Sequence, residues 1–236
     1  MRIKLPGSPK IKAFILAILV IISVAIIGKT AIDNKKAADL KAQARQEEQE
    51  RIEKQEEEAR IAEEERQKKQ REEELFNNAY SLFHNRQYNE AIKAADDLIN
   101  EFSDSYKGYS IKGISEGYAG DFNSGMNDID KALQIKSDYG YGRFNKALLY
   151  ELNQKFDEAL EWYDKAIEVE KYMWSYYGKA SIYGRKGAVD EAVNNLKLAI
   201  EAAPTDADKN SIKENARNEQ DFDPINGDAK FQDVIK

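Results

Sequence analysis

A period of 33 or 34 residues runs through the C-terminal two thirds of this chain and constrains its fold more than any other feature. Each period contains an aromatic or apolar residue followed three positions later by a small residue. The first members of these pairs are Tyr88, Phe122, Phe156 and Val189, and the second members are Ala91, Gly125, Ala159 and Ala192. A repeat of this length buries its apolar face only against its neighbours, so the pattern predicts a solenoid of stacked units.

Each unit is predicted to be two helices joined by a short turn. In the third unit, residues 141–152 and 156–169 have helical patterns, and residues 153–155 separate them. Small residues are expected where two helices cross closely, and bulkier side chains should fill the layer between units. We place the four units at residues 72–105, 106–139, 140–172 and 173–206.

The units resemble the tetratricopeptide repeat (TPR), whose signature is W-x2-L-G-x2-Y, then A-x3-F, then P. The fourth unit carries this pattern as Tyr176, Lys179, Ala180 and Tyr183, then Ala192 and Leu196, then Pro204. A polar residue replaces the usual leucine in every unit, at Asn78, Lys112, Lys146 and Lys179. The resemblance implies an all-α solenoid in which the first helix of each unit lines a concave face.

Residues 207–236 are predicted to close the last unit. Residues 206–218 can form a further helix, and four large apolar residues follow it: Phe222, Ile225, Phe231 and Ile235. A solenoid needs an atypical cap over its last apolar face, and we expect these side chains to supply it. The segment resembles the closing segment of many bacterial TPR proteins, including membrane-anchored ones.

The N-terminal region predicts a membrane anchor. Residues 1–12 form a basic tail, and residues 13–28 are an uncharged apolar run that reaches spanning length if the helix covers residues 13–32. A cleaved signal peptide has similar features, but cutting after Ala25 would leave two isoleucines at the mature end, so we favour an uncleaved anchor. The basic tail favours a cytoplasmic N-terminus and an extracytoplasmic TPR domain.

Residues 33–71 are predicted to form a long charged helix that acts as a spacer. They consist mostly of good helix formers, with acid-before-base pairs four residues apart such as Glu47–Arg51. A coiled coil needs regular apolar heptads, whereas only Ile52 and Ile61 are large and apolar between residues 41 and 74. A solvated single helix, about 65 Å long, is therefore favoured over a weak dimerising coiled coil.

Composition argues against several function classes. The chain has no cysteine and one histidine, His84, which excludes thiol chemistry and histidine-rich metal sites. Its net charge of −7 argues against a nucleic-acid partner. Asp96–Asp97 and the pair Asp128 and Asp130 lack a third convergent ligand, so we interpret them as solvated helix surface. No catalytic residue, metal or cofactor is predicted, and the chain is not expected to be an enzyme.

The concave face is the candidate binding site. The first helices should present seven aromatic side chains there: Phe76, Tyr80, Tyr118, Tyr141, Phe144, Trp174 and Tyr177. Rings offer a large contact area at little entropic cost, which suits an extended peptide. TPR proteins that clamp a terminal carboxylate use Lys, Arg and Asn on these faces. Here those positions are mostly aromatic or apolar, as at Ile111, and only Asn145 is retained, so no such clamp is expected.

The sequence thus predicts a non-catalytic, single-pass membrane scaffold that binds a protein or peptide partner through this groove. One alternative is a structural spacer of the cell envelope that assembles with copies of itself, weakly through the charged helix. The other is a secreted TPR protein, if the N-terminal segment is a cleaved signal peptide.

Overall fold

Every regular element is helical in the computed structural model, which describes residues 7–236. The predicted all-α fold is therefore confirmed. Residues 1–6 of the predicted basic tail lie outside the described residues. The chain divides into two compact units, Met1–Gln67 and Lys68–Lys236.

The first helix, α1 (Pro9–His84), contributes to both units. Proline suits the first helical position because its fixed φ is already helical and its missing N–H would have no partner there. The N-terminal part of α1 is long and apolar enough to cross a membrane, although a signal sequence satisfies the same criterion. Its large apolar side chains are exposed, as for Ile27 and Ile32.

The charged part of the first unit is helical as predicted, but its ion pairs differ from the predicted ones. Arg51 binds Glu48 at 2.7 Å rather than Glu47. Glu47 instead accepts a hydrogen bond from Gln43 Nε2 at 3.1 Å. Several acids lie within reach of each long exposed cation, so the choice of partner matters little to stability. The whole segment is solvated, since nearly all of its side chains are exposed.

The second unit contains the end of α1 and a succession of short helices. These are α2 (Tyr88–Glu101), α3 (Tyr106–Tyr118), α4 (Phe122–Ile135), α5 (Gly140–Leu152), α6 (Phe156–Val169), α7 (Met173–Arg185), α8 (Val189–Ala202), α9 (Asp206–Asn218) and α10 (Ala229–Ile235), with a 3₁₀ helix at Gln220–Ile225. Helices α3 and α4, α5 and α6, and α7 and α8 pack as pairs. The helices predicted in the third unit and at residues 206–218 are confirmed.

A left-handed residue ends the first helix of each pair at the repeat spacing. These residues are Arg86, Gly120, Gln154 and Gly187, with φ of 61°, 99°, 58° and 68°. The next residue donates its N–H five positions back, as from Asp121 to the Glu116 carbonyl at 2.9 Å. This arrangement satisfies helix-end carbonyls that would otherwise lack donors. The repeat therefore sets the turn geometry even where the residue is not glycine.

Small residues allow the paired helices to approach closely. The predicted small positions Ala91, Ala159 and Ala192 are fully buried. In the second pair, a Cβ on Gly113 would lie 2.5 Å from the Gly125 carbonyl oxygen, a distance that no side chain tolerates. Helices α3 and α4 therefore pack backbone against backbone at this crossing.

The lysines that replace the family leucine form a ladder of ion pairs between successive helix pairs. Each lysine lies on the first helix of one pair and binds an aspartate on the second helix of the preceding pair. The three pairs are Lys112–Asp96, Lys146–Asp130 and Lys179–Asp164. Asp97 is exposed, as expected of a solvated helix surface. Asp96 and Asp130 each contact a partly buried lysine of the next helix pair, and Asp128 contacts Lys112 of its own pair, which the sequence pattern did not indicate.

The C-terminal segment covers the last apolar face of the stack. Phe222, Ile225, Phe231 and Ile235 are buried in one cluster with residues of α7, α8 and α9. The rings of Phe222 and Phe231 stack at 5.4 Å. The predicted cap side chains thus all contribute to this core.

Candidate binding groove

A cavity of about 790 Å³ lies on the face formed by the last turns of α1 and by α3, α5 and α7, and the 3₁₀ helix closes one end of it. All of these elements belong to the second unit. The first helix of each pair places residues three or four positions apart on this face, as for Tyr141, Phe144, Leu148 and Glu151 on α5. The groove is therefore built by the same face of successive helices.

The predicted site residues are largely brought together here. Six of them line the cavity: Tyr80, Tyr118, Tyr141, Phe144, Trp174 and Tyr177. Phe76 lies beside the lining, with its ring 5.7 Å from that of Tyr80 and the Lys107 Nζ 5.4 Å from its centroid. Ile111, at a position matched to the carboxylate clamp, is buried in the core instead.

Four aromatic side chains, Tyr80, Tyr141, Phe144 and Tyr172, form a connected wall of ring contacts. The Tyr141 ring lies 6.2 Å from that of Tyr80 and 5.8 Å from that of Phe144. Tyr172, which the sequence analysis missed, packs edge-on against Phe144 at 5.2 Å. A signal for Tyr172 existed, because tyrosine recurs at intervals of 33 at the unit junctions, at Tyr106, Tyr139 and Tyr172.

Three carboxylates lie at the end of the cavity near the cap. Tyr163 donates its hydroxyl to Glu151 at 2.6 Å, and Tyr177 donates to Glu219 at 2.7 Å. Asp221 accepts from Ser181 and binds Arg185 Nε at 2.8 Å. The cap brings these groups together from different helices.

The environment of these groups disfavours negative charge. Burial raises the pKa of Glu151 and of Glu219, and in each case the tyrosine hydrogen bond opposes that effect only in part. Burial also raises the pKa of Tyr177, so its hydroxyl stays protonated as a donor. Glu151 was not among the predicted groove residues, although it continues the stripe of Tyr141, Phe144 and Leu148 along α5. Nothing in the local sequence indicates that Glu219 and Asp221 face the groove.

Asn145 has an unusual position in the wall. It is 1% exposed, and its Nδ2 donates to Ser110 Oγ at 3.0 Å. Its Oδ1 has no hydrogen-bond partner among the described residues. A buried acceptor without a donor is uncommon and suggests that a ligand or water completes it.

The cavity lining is mainly aromatic and acidic. Within residues 7–236, no cluster of three or more His, Cys, Asp or Glu side chains has the arrangement to hold a metal ion. Burial lowers the pKa of His84, which also lines the cavity, and so disfavours the charged imidazolium. The aromatic wall and the cap-side carboxylates therefore dominate the surface offered to a ligand.

Comparison with known proteins identifies the repeats. The tetratricopeptide repeat family model matches residues 142–172 and 175–206. The chain is 26% identical over 129 residues to the TPR repeat-containing protein MJ1428 of Methanocaldococcus jannaschii, covering 54% of this chain and 23% of that protein. It is 25% identical over 134 residues to the mouse mitochondrial import receptor subunit TOM70, covering 56% of this chain and 22% of that protein.

A solved structure shows the same fold. The crystal structure of TTC0263, a thermophilic TPR protein of Thermus thermophilus, superposes with a TM-score of 0.53 and 20% identity, covering 59% of this chain and 78% of that one. The chain spans less than a quarter of the length of MJ1428 and of mouse TOM70. The matched repeats, the periodic turns and the stacked helix pairs lead to one assignment. The chain contains tetratricopeptide repeats.

Proposed function

We propose that this protein is a non-catalytic scaffold, held at a membrane by the N-terminal part of α1, that binds a protein partner through the aromatic groove. The observation that carries the proposal is the cavity of about 790 Å³ with its wall of aromatic rings. Such a surface suits an extended peptide, because rigid rings gain contact area while losing little conformational freedom. TOM70 is named an import receptor subunit, which agrees with a binding role for a TPR array.

The N-terminal part of α1 has the chemistry of a membrane-spanning helix. Its side-chain hydroxyls are satisfied within the helix: Ser23 donates to the Leu19 carbonyl at 2.8 Å and Thr30 to the Ile26 carbonyl at 2.9 Å. A bilayer offers no water to such groups, so internal pairing removes a cost of several kcal/mol for each. We propose that the anchor is uncleaved, because cutting after Ala25 would leave two isoleucines at the mature end. The charged residues 33–71 then serve as a spacer, and the basic N-terminal tail favours repeats outside the cytoplasm.

Site-specific photocrosslinking tests the groove. A photoreactive phenylalanine analogue replaces Phe144 in the wall or, as a matched control, Trp162, an aromatic residue of α6 outside the cavity. We expect adducts with a different polypeptide from position 144 and none of the same mass from position 162. Adducts of twice the chain mass from both positions would instead support self-assembly, and equal capture at both positions would contradict the proposed groove.

Cysteine labelling tests the anchor and its orientation, since the chain contains no cysteine. Lys236→Cys places one thiol at the exposed C-terminus. We expect a membrane-impermeant maleimide to label intact cells and the labelled species to have the full-length mass. Labelling only after lysis would reverse the orientation, and loss of about 25 residues would indicate a signal peptide and a released protein.

A further inference from the structure

The carboxylates at the cap end of the groove have fewer hydrogen-bond donors than they can accept. An ionised carboxylate accepts up to about four hydrogen bonds. Glu219 receives one from Tyr177, and Glu151 receives one from Tyr163. Ser181 lies 3.3 Å from Glu151 and also contacts Asp221, but its hydroxyl has a single proton and donates to only one of them at a time.

Two of these carboxylates also lack a cation. Asp221 has Arg185, whereas neither Glu151 nor Glu219 forms an ion pair within 4 Å in the part of the chain that the structure describes. Placing uncompensated negative charge in a partly dry cavity is costly unless a counter-charge arrives. Arg185 lines the same cavity and attracts both glutamates, but its ion pair within 4 Å is with Asp221. Glu151 and Glu219 are therefore the carboxylates at this end that lack a contacting cation.

A second polar group in the same cavity, independent of the carboxylates, is a hydrogen-bond acceptor without a donor. The Asn145 Oδ1 is buried and has no partner among residues 7–236. Asn145 precedes Glu151 by six residues on α5, about 9 Å along the helix axis. An extended chain covers that distance in two to three residues. One peptide can therefore place a donor at both positions.

The walls around the carboxylates suit a cation. Trp174 and Tyr177 pack edge to face, with ring centroids 5.4 Å apart, and both line the cavity. Aromatic faces attract ammonium and guanidinium groups, and the attraction strengthens where water is excluded. They also accommodate the methylene stem of Lys or Arg.

We infer that the groove selects a peptide by a basic side chain, Lys or Arg, which binds between Glu151 and Glu219 while a second N–H of the same peptide donates to Asn145 Oδ1. This inference rests on the proposed peptide-binding function and specifies its partner class. An acidic side chain at the same place would meet Glu151 and Glu219 directly and is excluded by repulsion.

Binding of defined peptide pools to the full-length protein in detergent micelles tests the inference. The three pools contain fluorescent peptides roughly nine residues long, about 30 Å when extended. The central residue is Lys, norleucine or Glu, and the other positions are a random mixture of Ala, Leu, Phe and Ser. Norleucine keeps the apolar stem of Lys without its charge. Fluorescence anisotropy gives the apparent Kd of each pool.

We expect the Lys pool to bind at least about tenfold more tightly than the norleucine pool, with the Glu pool weakest. Glu151→Gln combined with Glu219→Gln should remove the Lys preference, so that the Lys and norleucine pools bind this variant with equal apparent Kd. The matched control, Glu168→Gln, changes an exposed carboxylate of α6 outside the cavity and should leave all three pools unaffected. Unchanged circular dichroism establishes that the variants are folded.

Two results would overturn the inference in distinguishable ways. If the Lys and norleucine pools bind equally, or the double variant keeps the Lys preference, the basic-residue inference is wrong while the proposed peptide groove stands. If no pool binds to the folded protein, the proposed function fails and the inference fails with it.

Tyr177→Phe provides a second variant, because it removes a donor from Glu219 without changing charge and should preserve or increase the Lys preference.

Discussion

Glu116 on α3 provides a direct test of how the helix pairs stack. Its side chain is 13% exposed and its Oε1 lies 3.9 Å from Lys112 Nζ. Its Oε2 is buried without a partner among the described residues. Burial, and after it the nearby Asp128 carboxylate, raise the pKa of Glu116 to about 7 against the opposing effect of Lys112. Glu116→Gln keeps the shape of the side chain and removes its charge.

The size of the effect follows from the pKa. The difference between an ordinary value of 4.5 and a pKa of about 7 corresponds to about 3.4 kcal/mol, at about 1.36 kcal/mol for each pH unit. The side chain retains some contact with water, and that contact screens part of the charge. We therefore expect about 1–2 kcal/mol in practice.

The raised pKa also determines how the free energy of unfolding changes with pH. Between pH 4.5 and about 7 the folded state holds the Glu116 proton while the unfolded state has released it. The folded state then binds more protons, so the free energy of unfolding falls as pH rises through this window. Above about pH 7, the wild-type protein has a buried, ionised Glu116 that destabilises the folded state, whereas the neutral Gln side chain of the variant has no such effect.

Urea unfolding of the full chain in detergent micelles, followed by circular dichroism and by the fluorescence of Trp162 and Trp174, measures the difference. We expect Glu116→Gln to be about 1–2 kcal/mol more stable than wild type at pH 8 and nearly equal to it at pH 4.5. Glu158→Gln, which changes an exposed carboxylate of α6, serves as the control. A stability difference that is the same at both pH values, or a less stable Gln variant at pH 8, would refute the reasoning.

The same unfolding measurement tests three further expectations. Gln154 and Gly187 both have left-handed backbone, which glycine tolerates better than other residues. Gln154→Gly should therefore raise the free energy of unfolding by about 0.5–1 kcal/mol, and Gly187→Ala should lower it by about 1 kcal/mol. Opposite signs would contradict the turn geometry. Gly113→Ala should cost about 1–3 kcal/mol or more, since the new Cβ meets the Gly125 carbonyl oxygen, and a neutral result would mean that the crossing is looser. Phe222→Ala should cost about 3–5 kcal/mol and expose α7 and α8 first in hydrogen exchange; uniform exchange across the helices would exclude a local capping role.

Much of the groove was predictable because it depends on periodicity along single helices. Tyr141 and Phe144 are three residues apart on α5, and any helix built from these residues presents them on one face. Glu151 continues the same stripe and was accessible to the same reasoning. It is not aromatic, so the aromatic pattern alone does not indicate it.

The ladder of ion pairs could not be predicted from the local sequence pattern. Lys112 and Asp96 are sixteen residues apart on different helices, and they meet at 2.9 Å only because one helix pair stacks on the next. Before the stacking is known, an aspartate on a helix surface is indistinguishable from one that faces water.

The sequence by itself determined the helices, their pairing and the turns between them, because a period of 33 or 34 residues specifies local geometry and nearest-neighbour burial. Only the tertiary structure decided the chemistry at the cap end of the groove. Ser181 and Asp221 are forty residues apart, yet they form a hydrogen bond beside Glu151 because the cap folds back onto α7. Contacts of that kind depend on how a non-repeating segment packs, so the periodic pattern of the sequence does not predict them.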